Sequence, residues 1–437
     1  MKELTLELLE RFRARQAERP ELKTLQAAVA KNELKSLAYN PEAAAKLNGD
    51  FTVELKTRGI TWQQSSGRCW LYAAMNILRE RVAERCNLEK FELSGNYLSF
   101  YDKLEKANNF LELIIENADK PLSDRMMIYV LEGVGDGNYW DMAADLVKKY
   151  GAVPSWVMPE TWQSTHTDKF LQLFNTLLRK DAVRLRAVIA EGGDPQPVKE
   201  AMLEEIYRME CIAFGEPPKS FNFEYRDKDE NYHVERGLTG RSFYEKYIGD
   251  ALDDYVTVTN HPTRGLAMNL HYRFHFIGAM ADRDVVSLNL TAEELEALTV
   301  KQLLDGEPVW FGCDSGIGGD REKGVWDPHS VDYSGLMGGV DFTMSKGDRL
   351  EYHASLADHA MIFVGVNFDE NGKPDRWKIE NSWGEGAGKN GYFVCSAAYF
   401  REYVYEVVIR KKHLTDAQRA LLEQPPVRIL PWEGDWL

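Results

Sequence analysis

The chain has 437 residues, of which 44% are apolar and 11% aromatic, enough for a sizeable core and unlike a disordered protein. Its formal net charge of −16 argues against nucleic acid as a main partner, because phosphate binding needs a positive surface. The five cysteines show no paired spacing, no signal-peptide core follows Met1 and no apolar run has membrane length, so we expect a cytoplasmic protein with neither a disulfide framework nor membrane contact.

Residues 1–60 are predicted to be mostly helical, because apolar side chains recur there at intervals of three and four. An alternating stretch at 51–55 indicates a short strand just before a polar loop. Nothing in this segment suggests chemistry, so we interpret it as a helical segment that packs on the rest of the fold.

The segment 61–160 opens with a polar loop that closes on Cys69, where an apolar helix is predicted to begin. Ser65 or Ser66 is the expected cap of this helix. Backbone N–H groups in the first turn and the positive end of the helix dipole both favour a thiolate over a thiol. Cys69 is therefore a candidate nucleophile.

A nucleophile that attacks a carbonyl group needs donors for the developing oxyanion. Gln63, six residues before Cys69, can place its side-chain amide beside the sulfur. Gln64 is a competing donor. The glycine-rich stretch at 133–142 has neither the GK[ST] ending nor the GxGxxG spacing of a phosphate-binding loop, which argues against a nucleotide cofactor.

Residues 161–255 show helical periodicity, whereas 256–413 contain short alternating runs that predict strands. His359 opens one such run and Asn381 lies at the end of the next, with a strong turn signal between them. Two strands joined this way pair antiparallel, so the two side chains can lie near each other. A thiolate needs a base and the base needs an orienting group, which these two residues can supply.

A metal site is considered for His271 and His275, which share a face of a predicted strand. No HExxH pattern or Cys/His cluster accompanies them, so we expect a structural pair, no metal and no cofactor. The four cysteines other than Cys69 are expected to pack as small apolar residues.

Several motifs, in order between about residue 60 and residue 413, carry a family resemblance. They are QQSSGRCW at 63–70, WDM at 140–142, FYEKY at 243–247 with DDYV at 253–256, VWFGCD at 309–314, HAM at 359–361 and ENSWG at 380–384. Together they resemble the bleomycin hydrolase / aminopeptidase C branch of the papain-like cysteine peptidases. The long separation of Cys69 from His359 departs from ordinary papain spacing and fits this larger branch.

The resemblance implies an α+β, papain-like two-lobe fold. Its helical lobe would be 61–160 and its antiparallel, β-barrel-like lobe 256–413, with the residues before position 61 packed on this core. Residues 161–255 would be a helical insertion that builds a ring of subunits, by resemblance a homohexamer. Residues 414–437 would form an extended C-terminal arm that runs into the active-site cleft, although the segment contains a short helix capped by Thr415.

The resemblance also assigns roles to individual residues. The predicted catalytic residues are Cys69 as nucleophile, His359 as base, Asn381 as its orienting group and Gln63 as oxyanion donor. The predicted substrate contacts are Gly135, Gly137, Trp70, Trp383 and Leu437. For the two glycines, the absence of a side chain would let the substrate backbone approach, and an ordinary turn is the alternative. Trp383 would also shield the contact between the base and its orienting group from water.

The resemblance further implies that the C-terminal carboxylate pairs with the free amino group of the substrate and blocks longer chains. The sequence ends with Glu433, Asp435 and Trp436 in place of the small residues usual in that family. The favoured function is therefore a cysteine aminopeptidase of broad specificity that acts on short peptides. A papain-like endopeptidase with an open cleft, and a ring-shaped scaffold with an idle thiol, are the alternatives.

Overall fold

The structure is a computed structural model that describes residues 2–47, 49–249 and 252–434. Leu437, the predicted end of the arm, lies outside the described residues, as do Asp435 and Trp436. Within the described ranges, no helix combines the length and the apolar character needed to cross a bilayer.

Helices dominate the first half of the chain and recur between the strands of the second half. The α-helices of the described residues are α1 (Leu6–Ala17), α2 (Glu21–Val29), α3 (Leu34–Ala38), α4 (Pro41–Lys46), α5 (Cys69–Arg85), α6 (Gly95–Glu116), α7 (Arg125–Glu132), α8 (Trp140–Tyr150), α9 (Trp162–Thr165), α10 (Asp168–Ala190), α11 (Gln196–Phe214), α12 (Gly240–Phe243), α13 (Ala292–Leu304), α14 (Tyr333–Leu336), α15 (Lys346–Glu351), α16 (Ala397–Tyr403), α17 (Asp416–Leu422) and α18 (Pro431–Gly434).

Most strands lie after residue 250, as the alternating runs predict. The strands of the described residues are β1 (Val53–Glu54), β2 (Phe221–Arg226), β3 (Tyr232–Leu238), β4 (Tyr255–Thr259), β5 (Leu270–Phe274), β6 (Val285–Asn289), β7 (Val309–Cys313), β8 (Gly319–Asp320), β9 (Val325–Trp326), β10 (His359–Phe368), β11 (Pro374–Glu380), β12 (Tyr392–Ser396), β13 (Val404–Arg410) and β14 (Val427–Arg428). The α+β prediction is confirmed.

One large sheet organises the second half of the chain. Its described strands follow the order β14-β5-β6-β4-β13-β7-β10-β11-β12-β9-β8, and β1 pairs with β10 beside this path. From β4 through β13, β7, β10 and β11 to β12 each pair is antiparallel, whereas β4 and β12 pair in parallel with their outer neighbours β6 and β9. β10 lies between β7 and β11, and its first residue, His359, pairs with Cys313 on β7.

The two faces of the central strands are buried in two different cores. Ile362 and Val408 belong to the core that contains α5, α6 and the other helices of the first half. Their chain neighbours Met361 and Val407 belong to a second core, which includes residues of α13 and α16. This alternation is what period-two strands require when both faces are covered.

The structure differs from two sequence expectations. Residues 161–255 were expected to be helical, but β2 and β3 form a separate antiparallel hairpin after α11. The β2–β3 hairpin packs Phe223 into the helical core, so tertiary contacts outweigh the weak local signal. The tail was expected to be extended, yet after β14 it ends in the helical turn α18, which proline is well suited to open.

Candidate active site

The polar loop at 61–68, here called the nucleophile loop, places Cys69 at the first position of α5, as predicted. The predicted serine cap is wrong: the cap position is Arg68, and no side chain caps this helix. The Ser66 hydroxyl instead donates to the Gln63 carbonyl oxygen at 2.6 Å and accepts from Arg68 Nε at 2.9 Å. Ser66 therefore shapes the loop, and the backbone N–H groups of Cys69 and Trp70 in the first turn can stabilise an anion at the sulfur.

The hairpin of β10 and β11 brings His359 and Asn381 together. The two strands pair antiparallel, with Ile362 opposite Glu380, so the start of β10 and the residue that follows β11 lie at the same end of the hairpin. His359 Nε2 lies 2.9 Å from Asn381 Oδ1, and both side chains are buried. This is the geometry that the turn signal between the two runs predicts.

The hydrogen bonds of Asn381 determine which ring nitrogen carries the proton. Its Oδ1 also accepts the backbone N–H of Ser382 at 2.7 Å, which fixes the amide with its oxygen toward the imidazole. His359 Nε2 must therefore be the donor. The other ring nitrogen, Nδ1, is then the one that can exchange a proton with a neighbour.

Trp383 covers the imidazole. Its indole ring is stacked on His359 with ring centroids 4.6 Å apart and planes 20° apart. The guanidinium carbon of Arg321 lies 4.3 Å from the indole centroid. The His359–Asn381 bond is thus shielded from solvent, which strengthens it, and Trp383 contacts the imidazole directly.

The side-chain amide of Gln63 is fixed at both ends. Its Oε1 accepts the Ser382 hydroxyl at 2.7 Å, and its Nε2 donates to the Ser66 carbonyl at 2.6 Å. Gln63 is buried beside the site, whereas Gln64 is exposed and has a positive φ of 55°. The position of Gln63 thus suits an oxyanion donor, and that of Gln64 does not.

Cys69 and His359 open into the same cavity, which has a volume of about 400 Å³. Gly135 and Gly137 line it as well, and a Cβ atom added to either glycine would meet no atom within 4 Å. Neither glycine has a positive φ. Side chains at these positions would therefore occupy free cavity space without straining the backbone.

Lys106 holds the glycine loop in place. Its ammonium group donates to the carbonyl oxygens of Gly135, Asp136 and Gly137 at 3.0, 3.1 and 3.0 Å. Trp70 adds a fourth tie, because its indole N–H donates to the Asp136 carbonyl at 2.9 Å. Trp70 lines the cavity, but only 1% of its surface is exposed, so it positions the loop more than it offers a surface.

A buried ion pair joins this loop to the nucleophile loop. Asp136 Oδ1 lies 2.7 Å from the Lys103 ammonium, and its Oδ2 accepts the backbone N–H of Gly67 at 3.0 Å. Although burial opposes the charge, Lys103 holds the pKa of Asp136 well below its usual range. Sequence reasoning missed this link, because neither residue belongs to a recognisable motif.

Burial shifts the pKa of both Cys69 and His359 toward the neutral form. It raises the pKa of the Cys69 thiol to about 11, against the backbone N–H groups of Ala360, Trp70 and Cys69 itself, which lower that pKa. Burial also lowers the pKa of His359 to about 4, against the bond to Asn381, which raises it. Burial disfavours the charged form of each group, so each charge would be stabilised by the opposite charge on the other group.

The chain was compared with protein families, curated proteins and solved structures. Residues 3–434 match the Peptidase C1-like family. Aminopeptidase G of Lactobacillus delbrueckii subsp. lactis is 43% identical over 440 residues, which cover 99% of each chain. Aminopeptidase C of Listeria monocytogenes serovar 1/2a is 40% identical over 433 residues, covering 99% of this chain and 98% of the relative. The crystal structure of PepW from Lactobacillus rhamnosis HN001 is similar with a TM-score of 0.95, 40% identity and 98% coverage of both chains.

The chain belongs to the Peptidase C1-like family. The resemblance to the bleomycin hydrolase / aminopeptidase C branch is confirmed, and so is the papain-like fold. The protein is a cysteine-type peptidase.

The C-terminal segment of this peptidase runs toward the cavity as far as it is described. β14 pairs in parallel with β5, and the Trp432 ring then lies 6.4 Å from the ring of Tyr129. Tyr129 lines the same cavity as Cys69. The arm therefore approaches the cleft, while the predicted contact Leu437 lies beyond the described residues.

Two other sequence candidates lie away from the peptidase cavity. His271 Nδ1 contacts the Gln424 carbonyl at 3.4 Å, and His275 Nε2 contacts Asn109 Oδ1 at 2.9 Å, so each ring has a protein partner of its own. Among the described residues, no group of three or more His, Cys, Asp or Glu side chains is placed to hold a metal ion.

Proposed function

We propose that this protein is a cysteine aminopeptidase that removes N-terminal residues from short peptides with broad specificity, through a Cys-His-Asn mechanism. The observation that carries the proposal is the opening of Cys69 and His359 into one cavity, with His359 bonded to Asn381 at 2.9 Å. The names of relatives that match almost the whole chain support the exopeptidase activity.

In the proposed first half-reaction, His359 Nδ1 takes the proton of Cys69, and the thiolate attacks the peptide carbonyl carbon. The C–S bond forms as the carbonyl π pair moves to oxygen. Gln63 Nε2, which carries a second N–H besides the one given to Ser66, and the backbone N–H of Cys69 donate to that oxyanion. The C–N bond then breaks, and the imidazolium gives its proton to the leaving amine.

In the second half-reaction, water attacks the thioester and gives a proton to His359 Nδ1. The C–S bond breaks, the acid product leaves and the proton returns to the sulfur. Asn381 keeps the ring oriented throughout, because its oxygen is itself fixed by the Ser382 N–H.

The substrate contacts proposed from the sequence fall into two groups. Gly135 and Gly137 line the cavity with free space above them, which supports a role in admitting the substrate backbone. Trp70 and Trp383 are proposed to act on substrate through the groups they support, the glycine loop and the imidazole. The described approach of the arm supports the aminopeptidase over the endopeptidase.

We also propose that the protein is cytoplasmic and that the insertion at 161–255 mediates a ring-shaped homo-oligomer. Large apolar side chains are exposed on its helices, with Val183 at 73% and Ile212 at 83%. Large exposed apolar side chains of this kind support an association surface on the insertion. Light scattering on the purified protein would measure the assembly mass, and a monomer would contradict this part.

The experiment that tests the activity compares matched peptides with a free or an acetylated N-terminus. The proposal predicts cleavage of the first residue from the free-amine peptide, and little cleavage of the acetylated one. Preferential cleavage of acetylated peptides at internal bonds would favour the endopeptidase instead. Cys69→Ala protein is the control for contaminating peptidases.

A further inference from the structure

One buried carboxylate lies between the two glycines that line the active-site cavity. Asp136 separates Gly135 from Gly137, and only 7% of it is exposed. Its main-chain carbonyl oxygen accepts hydrogen bonds from Lys106 and Trp70, which fix the backbone of the glycine loop. The side chain of Asp136 is not needed for that task, and it points to a different segment of the protein.

The segment that Asp136 contacts is the nucleophile loop. Asp136 Oδ2 accepts the backbone N–H of Gly67 at 3.0 Å, and it also accepts the Thr167 hydroxyl at 2.5 Å. The contact is close, because a Cβ atom added to Gly67 would lie 2.9 Å from the Cβ atom of Asp136. A side chain at position 67 would push the two loops apart, so the glycine there allows the hydrogen bond to form.

The Gly67 N–H belongs to the same peptide unit as the Ser66 carbonyl group. A peptide unit is planar, and in the trans form its N–H and C=O groups point in opposite directions. None of the described peptide bonds is cis. The Ser66 carbonyl oxygen accepts Gln63 Nε2 at 2.6 Å on the other side of this unit. One rigid peptide unit therefore joins the Asp136 carboxylate to the amide of the proposed oxyanion donor.

The charge of Asp136 strengthens this connection, and Lys103 offsets the cost of burying it. Although burial opposes the charge, Lys103 lies 2.7 Å from Oδ1 and holds the pKa of Asp136 well below its usual range. Hydrogen bonds to an ionised acceptor are stronger than those to a neutral one, and successive hydrogen bonds polarise one another. A lone anion near a developing oxyanion would oppose the reaction, but the ion pair of Asp136 with Lys103 has no net charge.

We propose that Asp136 is a positioning residue that acts through Gln63. Through the Ser66–Gly67 peptide unit it holds the Gln63 amide where the oxyanion forms, and it ties that amide to the loop that admits the substrate backbone. This inference rests on the proposed peptidase function. Ser382 fixes the other end of the amide, at Gln63 Oε1. Without the carboxylate of Asp136 the peptide unit can rotate, and the second N–H of Gln63 is no longer directed at the substrate carbonyl.

The test uses Asp136→Asn, which keeps the shape but presents an amide NH₂ group to either Lys103 or Gly67. Both partners are donors, so one of the two contacts is lost whichever way the amide turns. Glu210→Gln is the matched control, because Glu210 is also buried and interacts with the charge of Lys103, but it lies on α11 and bonds to neither loop. Inhibition by leucinal reports on the oxyanion site, because Cys69 adds to its carbonyl carbon, whereas alkylation by iodoacetamide forms no oxyanion.

We expect Asp136→Asn to lower kcat roughly tenfold and to weaken leucinal inhibition by a similar factor, while KM and the alkylation rate of Cys69 change less than twofold. In the Gln63→Ala background the asparagine change should add little, because Asp136 acts through Gln63. Glu210→Gln should change neither kcat nor leucinal inhibition. Unchanged leucinal inhibition, alkylation slowed as much as kcat, or full additivity with Gln63→Ala would overturn the proposal.

The double variant Asp136→Ala, Lys103→Met is the second variant, for the case that Asp136→Asn does not fold. It removes both charges of the pair, and Asp102 keeps its ion pair with Lys106, so neither member of the pair is left without its partner. The same losses are expected from it, and thermal unfolding shows whether each variant is folded.

Aldehyde inhibition separates this inference from the proposed function. N-acetyl-leucyl-leucinal makes the same addition to Cys69 in an endopeptidase cleft. Weaker inhibition of Asp136→Asn by this aldehyde supports the positioning role even if the wild type prefers acetylated peptides. Equal inhibition of wild type and variant by both aldehydes overturns it even if the aminopeptidase activity is established.

Discussion

The side chains of Gln63 and Ser382 share a hydrogen bond of 2.7 Å across 319 positions of the chain. The Ser382 hydroxyl donates to Gln63 Oε1, so the amide nitrogen of Gln63 is directed by a residue that adjoins Asn381. The proposed oxyanion donor and the proposed orienting group of the base are therefore held by one connection. Ser382 was not singled out in the sequence, although it lies inside the ENSWG motif.

This connection predicts a graded loss of activity. Gln63→Ala should lower kcat about 100- to 1000-fold, because an oxyanion donor acts mainly on the transition state. Ser382→Ala should lower kcat less, since the amide stays present but loses its support. Steady-state kinetics of the two single variants and the double variant test this: the serine change should add little once Gln63 is gone, and full additivity would contradict the coupling.

Asn381→Ala should lower kcat about tenfold or more with a smaller effect on KM, because the buried Nε2–H of His359 loses its acceptor and the ring loses its orientation. Asn367→Ala is the matched control on β10, since Asn367 lies at the far end of that strand. Peptide cleavage kinetics report the effect. Unchanged kcat in Asn381→Ala would show that the ring needs no orienting group.

Lys103→Met should lower the free energy of unfolding by about 3–5 kcal/mol, because it leaves the buried Asp136 carboxylate without its cation, whereas Asp102 keeps its ion pair with Lys106. Lys103 is fully buried, at 2.7 Å from Asp136 and 3.2 Å from Asp102. Lys180→Met, whose side chain is 59% exposed, is the control and should change stability by less than about 0.5 kcal/mol. Urea denaturation measures both, and equal effects would contradict the structural role of the pair.

The free energy of unfolding should decrease as the pH is lowered, because His261 is buried in its neutral form. Burial lowers the pKa of His261 from its ordinary value of 6.5 to about 3, so the unfolded chain binds a proton that the folded chain does not. The loss begins as pH falls below about 6.5, continues toward pH 3, and amounts to about 1.4 kcal/mol per pH unit. His359, with a pKa lowered to about 4 by burial, adds to the same trend.

The change His261→Gln isolates this contribution. Between pH 6.5 and pH 5 the variant should lose about 2 kcal/mol less stability than the wild type, measured by urea denaturation at each pH. His329→Gln, at the surface, is the matched control. A variant with the same pH dependence as the wild type would show that His261 does not stay neutral in the folded state.

Local signals were enough to predict the main elements around the site. Apolar periodicity gave the start of α5 at Cys69, and the turn signal gave the β10–β11 hairpin with His359 and Asn381 at its open end. The serine cap failed because the Ser66 hydroxyl bonds within its own loop, to the Gln63 carbonyl oxygen and to Arg68 Nε. Capping rules consider which side chains are near the helix start in sequence, and they do not predict which partner each side chain bonds.

The links between distant segments could not be predicted from one sequence. Lys103 and Asp136 look like ordinary charged residues of a helix and a loop, and only the fold buries them together. Glu406 stands in an alternating strand where a polar residue predicts a solvent face. It is buried because β4 and β7 flank β13 and the helical core covers that face, which depends on the order of strands in the sheet.

The central claim is that Cys69 is a nucleophile made reactive by His359. The most direct measurement is the pH dependence of Cys69 alkylation by iodoacetamide, located by mass spectrometry, in the wild type and in His359→Ala. We predict stoichiometric alkylation of Cys69 near neutral pH in step with loss of peptidase activity, and in His359→Ala a slow reaction that rises only at alkaline pH, as burial raises the pKa of the thiol to about 11. Identical pH profiles in the two proteins, or full activity after alkylation, would contradict the account.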